Sequence, residues 1–149
     1  MDELEAAARG PKVRRGEVEL GKLAAREFKR LRKRAKGLGP DATDEELHKT
    51  RIRGKRARYA AELAGPELGK SGEKLVSRAK VFQDVLGAHQ DAIVAEGRLR
   101  GLLADAPSTG AAFAAGRLVE RERLRLREAR AELQDAWGAL DRSAKAALG

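Results

Sequence analysis

Apolar residues recur along most of this chain at spacings of three and four, the period of a helix buried on one side. The first run spans about Glu17 to Lys36, with Leu20, Ala24, Phe28, Leu31 and Ala35 on one face. Gly37 to Pro40 ends it, because glycine suits a C-cap and proline cannot continue a helix. A second helix starts at Thr43, where Glu46 three residues on predicts a capping box. It is expected to stop at Gly65-Pro66. A third, about Glu67 to Leu86, turns Leu75, Ala79 and Phe82 inward and stops at Gly87. A fourth, about Ala88 to Ala104, carries Ile93, Leu99, Leu102 and Leu103 and ends near Pro107. The last runs from about Ala111 to Ala147 on a stripe of Leu118, Leu126, Ala129, Leu133, Ala136 and Leu140, flanked by Trp137. No segment alternates with the two-residue period of a strand. Short linkers favour antiparallel neighbours. The expectation is an all-α antiparallel bundle of about five helices over residues 17–149, behind a flexible arm over residues 1–16.

Composition agrees with helices. Hydrophobic residues make up 42% of the 149, yet aromatics only 3%, and an alanine-rich, aromatic-poor core suits closely packed helices better than sheets. Gly54, Gly72, Gly97 and Gly101 fall inside predicted helices, each costing up to about 1 kcal/mol relative to alanine. Gly54 serves either the close packing of another helix or the close approach of a ligand. There is no cysteine, so disulfides and thiolate metal sites are excluded and a reducing compartment is the default. With no long apolar run and an acidic start, MDELEAAARG, the chain is expected to be soluble and cytoplasmic, without a membrane partner.

Charge changes the picture more. The net charge is +9, and its distribution is uneven. Residues 9–36 hold twelve Lys/Arg against three Glu, and residues 47–80 hold ten against three. Residues 81–149 balance at ten against ten. Segregated positive charge sets up a field that draws polyanions.

The second predicted helix concentrates that charge. At 100° per residue, His48, Arg51, Lys55 and Arg58 share a sector of about 80°, a ladder with about one rung per turn. Glu62, one turn on, is placed to orient Arg58 or Lys55; Ile52 and Tyr59 are read as core. On the first helix Lys22, Arg26, Lys29, Lys33 and Lys36 form a second stripe, opposite Ala24 and Leu31. A solvated face would explain this stripe too. Such a face normally carries acidic partners at i+4, however, and only Glu27 stands between positions 20 and 40. If the two helices pack side by side, their ladders would flank one groove.

The two histidines, His48 and His89, suit either a buried hydrogen-bonding role or anion binding. Metal binding would need carboxylates such as Asp91 to complete a site. No nucleophile has an evident base, and no phosphate loop or two-metal carboxylate spacing is present. The expectation is a binding protein, not an enzyme, with no cofactor.

The stretch LHKTRIRGKRARYAAEL (47–63), followed by FQDVLGAHQDA (82–92), resembles the CHAD family, the conserved-histidine α-helical domains. His48, Arg51, Lys55, Arg56, Arg58 and Tyr59 match the first part of its pattern; Leu86, Gly87, His89 and Asp91 match the second. The resemblance extends loosely from about residue 17 to 142. It implies a helical domain that binds inorganic polyphosphate through a basic groove, in some members at polyphosphate granules. Carried onto this chain, His48, Arg51, Lys55 and Arg58 would contact phosphate oxygens. The stripe of Lys22, Arg26, Lys29 and Lys33, together with Lys74, Arg78 and His89, rests on charge and helix phase. The family usually holds two such repeats, whereas this chain resembles the second half alone. A homodimer, or pairing with another CHAD half, would restore a continuous groove. Nucleic-acid or other polyanion binding is the alternative, although Asn, a usual adenine reader, is absent. A metal-dependent phosphohydrolase is a third reading, which predicts sensitivity to chelator.

Overall fold

A computed structural model describes the backbone of residues 2–149 and the side chains of residues 19–149. The described residues form three α-helices, α1 (Asp2–Ala35), α2 (Asp44–Ala104) and α3 (Thr109–Leu148), and no strand. The fold is all-α, but it is not a five-helix bundle. The expected arm over residues 1–16 falls where side chains lie outside the described set.

The second, third and fourth expected helices are one element, α2, folded once. Its break is at Gly69, with φ 59° and ψ −138°, a left-handed conformation that glycine adopts at little cost. Pro66, three residues earlier, removes a backbone donor from the turn before the break. The chain folds back so tightly there that a Cβ on Gly72 would lie 2.6 Å from the Gly65 carbonyl oxygen. Gly87 does not stop the helix. Its cost of about 1 kcal/mol is outweighed by packing around it, where Val85, Leu86, His89 and Ala92 are all buried.

Caps fix the other ends. Thr43 Oγ1 accepts from the Glu46 N–H at 3.2 Å, and Glu46 Oε2 accepts from the Thr43 N–H at 2.8 Å, the expected capping box. Ser108 Oγ accepts from the Ala111 N–H at 3.1 Å and starts α3. The Gly37 and Leu38 amides close α1 onto the Arg34 and Ala35 carbonyls.

The core lies among α1, both arms of α2 and the second half of α3. Phe82, Leu31, Leu75 and Leu140 are its largest fully buried apolar side chains, and each contributes about 1.5–3 kcal/mol by leaving water. Phe82 meets Trp137 with ring centroids 5.6 Å apart. Alanines let the helices approach: Ala24 of α1 packs with Ala60 and Ala64 of α2. Arg32 donates to Asp141 at 2.5 Å and ties α1 to α3, while Lys145, one turn on in α3, donates to the same carboxylate at 2.8 Å. Burial raises the Asp141 pKa, but these two partners outweigh it and hold the carboxyl below its ordinary value.

Ile52 and Tyr59 are not core: they are 42% and 46% exposed. The inward stripe of this arm is Leu47, Thr50, Gly54, Ala57, Ala61 and Ala64. Small side chains line it because two helices press close, so the larger residues fall on the outer side. Leu118 is likewise exposed, and its neighbour Val119 is buried instead. Between residues 93 and 128, Val119 is the one buried side chain among the described residues.

Candidate polyanion-binding surface

The two arms of α2 set the geometry of the basic ladder. Gly54 on the first arm faces the Phe82 ring on the second, and Gly65 faces Val76. With that register, helical phase puts His48, Arg51, Lys55 and Arg58 on the edge of the first arm beside the second, away from α1. His48 and Lys55 are exposed; Arg51 and Arg58 are half-buried.

The half-burial matters electrostatically. The Nε atoms of Arg51 and Arg58 are buried with no hydrogen-bond partner. Arg58 Nε lies 3.5 Å from Glu62 Oε1, an ion pair in distance but not an aligned hydrogen bond. Glu62 thus pairs with Arg58 and not with Lys55. The Arg58 guanidinium also sits 5.0 Å from the Tyr59 ring centroid, which holds it against the helix surface. Leaving a buried donor unpaired costs about 1–3 kcal/mol. The two guanidinium groups lie about two turns apart on the same edge.

The α1 stripe lies elsewhere. Lys22, Arg26, Lys29, Lys33 and Lys36 are all exposed, on the face roughly opposite the buried Ala24, Phe28, Leu31 and Ala35. The face of α2 that meets α1 carries Ala60 and Ala64, not the ladder. The two ladders point to different sides and do not flank one groove.

Lys74 and Arg78 are on the second arm of α2, where they line a cavity shared with α3. His89 is 3% exposed and faces the start of α2, at Asp44, one turn before His48. Its Nε2 lies 3.6 Å from Asp44 Oδ1, beyond hydrogen-bonding distance. Burial lowers its pKa and the Arg130 charge lowers it further, while Asp44 opposes them. The imidazole is neutral near pH 7. Arg130 donates to the Ala42 carbonyl at 2.8 Å and to Asp44 at 3.1 Å, so this cluster fastens the start of α2 to α3. Sequence reasoning missed Arg130 and Arg142, because the balanced charge of the second half hid which arginines are paired. Among the described residues no group of three or more His, Cys, Asp or Glu could hold a metal ion. No helix among them is long and apolar enough to cross a membrane.

A family model described as the CHAD domain matches residues 1–100, which takes in the whole ladder. The chain belongs to the CHAD family. Two uncharacterized proteins of Mycobacterium tuberculosis, from strains CDC 1551 and H37Rv, are each 33% identical to it over 128 residues. The match covers 80% of this chain and 24% of each relative, so the chain spans about a quarter of the length of these relatives. No solved structure matches it.

Proposed function

We propose that this CHAD domain binds inorganic polyphosphate, without altering it, along the Arg51–Lys55–Arg58 edge of α2. The family is associated with polyphosphate binding in general. The observation that carries the reading here is the alignment of the half-buried Arg51 and Arg58 with the exposed Lys55 and His48 on one edge of α2. Phosphate oxygens supply charge-assisted acceptors for such donors. A repeating polyanion meets successive rungs and releases its counterions as it does so. The α1 stripe adds long-range attraction from a separate face.

Location in the cytoplasm or at polyphosphate granules would follow the polyanion. Pairing with a second copy or another CHAD half is part of the same proposal. The α2–α3 extension, with Leu102 and Phe113 exposed by 65% and 68%, supports it. The test is a titration with long-chain polyphosphate, with and without chelator, followed by sizing of the polymer. Saturable binding with unchanged chain length is expected; chelator-sensitive shortening would favour a phosphohydrolase.

Nucleic-acid binding is the second reading, and one observation favours it. Tyr59 is exposed beside Arg58, and an open ring flanked by a cation is what base stacking uses.

A further inference from the structure

We infer that the cleft between the second arm of α2 and α3 is a second anion site, separate from the α2 edge. The chemistry it fits is a short condensed phosphate such as tripolyphosphate. Lys74 and Arg78 on α2 and Arg142 on α3 converge on a cavity of about 430 Å³. None of the three has an ion-pair partner among the described residues, and no acidic side chain lines the space.

The walls explain the opening. Ala139, Ser143 and Ala146 recur at spacings of four and three on α3, so beside Arg142 this face presents small side chains and leaves a gap. Ser71 adds a hydroxyl from α2. A chain of three phosphates carries several charges in little length, which suits three cations gathered from two helices. A long polymer gains less, because the cations do not continue as a ladder. The cavity that adjoins this one shows the contrast: Arg78 also borders it, but Glu132 and Asp135 stand there, and an anion is repelled. Lys74 and Arg142 therefore define the site.

The inference shares its ligand class with the proposed function but rests on different residues. The experiment is calorimetric titration of the full chain with tripolyphosphate, comparing Lys74→Ala, Arg142→Ala and Arg98→Ala. Arg98 is an exposed cation on the α2–α3 extension and controls for loss of one charge. Lys74→Ala and Arg142→Ala are expected to weaken binding about tenfold each, as loss of a charge-assisted contact should. Arg98→Ala should change it less than about twofold. Absence of saturable binding, or equal weakening by all three variants, would overturn the site. Long-chain polyphosphate run in parallel separates the two readings. If long chains fail to bind while Arg142→Ala still weakens tripolyphosphate binding, the α2-edge reading fails and this site stands.

Discussion

Gly54 lies against the ring of Phe82, where an added Cβ would meet Cε1 at 3.4 Å and Cδ1 at 3.5 Å. The glycine in the middle of the basic helix therefore serves helix packing, and its contact sets the register between the two arms of α2. The distances are ordinary van der Waals contacts, so Gly54→Ala is expected to leave stability unchanged or raise it by up to about 1 kcal/mol. Gly72→Ala should do the opposite, because its Cβ would sit 2.6 Å from a backbone carbonyl oxygen. A loss of about 2 kcal/mol or more is expected from such overpacking. Thermal unfolding of the two variants checks both signs.

Much of this fold is readable from the chain alone. Ala24, Phe28, Leu31, Leu75, Ala79 and Phe82 are buried as their spacing predicts, and Thr43 and Glu46 form the expected box. What failed did so where small residues carry the core. Around Gly54, Ala57 and Ala61 the buried stripe has little hydrophobic bulk, so Ile52 and Tyr59 drew the inward assignment wrongly. Helix ends failed for a related reason. A glycine such as Gly87 punctuates a helix only where packing does not repay its cost, whereas Gly69 adopts a positive φ and does turn the chain. The ladder itself was legible as a sector of one helix. Its position relative to α1 was not, since periodicity gives a face but not the neighbour across from it.

His89 makes the domain sensitive to mild acid. Its folded pKa lies below the ordinary 6.5, through burial first and the Arg130 charge second, with Asp44 opposing. The unfolded chain therefore takes up the proton more readily than the folded one. Stability from this site is full above pH 6.5 and is lost as pH falls through the depressed folded value. The melting temperature should drop between neutral pH and about pH 5.5. His89→Gln should flatten that limb; an unchanged limb would assign it to other groups.

Polyphosphate affinity should fall steeply with salt. Roughly four phosphate contacts give a log–log slope near −2.8, using about 0.7 per contact for a single-stranded polyanion. Arg51→Ala should reduce the magnitude of that slope by about 0.7. Titrations at several salt concentrations give both numbers. Removing Lys36, on the far face of α1, should change both affinity and slope far less than Arg51→Ala does, because salt screens a charge that makes no contact.

If the α2–α3 extension pairs with another copy, sedimentation velocity should show a concentration-dependent dimer. Leu102→Glu together with Phe113→Glu should return it to monomer, since both side chains are more than half exposed in the single chain and contribute no core. A monomer at all concentrations would remove self-pairing from the account.

The central claim is tested most directly by competition. Long-chain polyphosphate and a single-stranded oligonucleotide of matched charge would be titrated against each other at about 150 mM salt, with the native chain and with Arg51→Glu/Lys55→Glu. The account predicts that polyphosphate wins by a large factor and that the charge reversals abolish its binding. Equal competition, or binding that survives the reversals, would contradict a specific phosphate edge on α2 and leave a generic cationic surface.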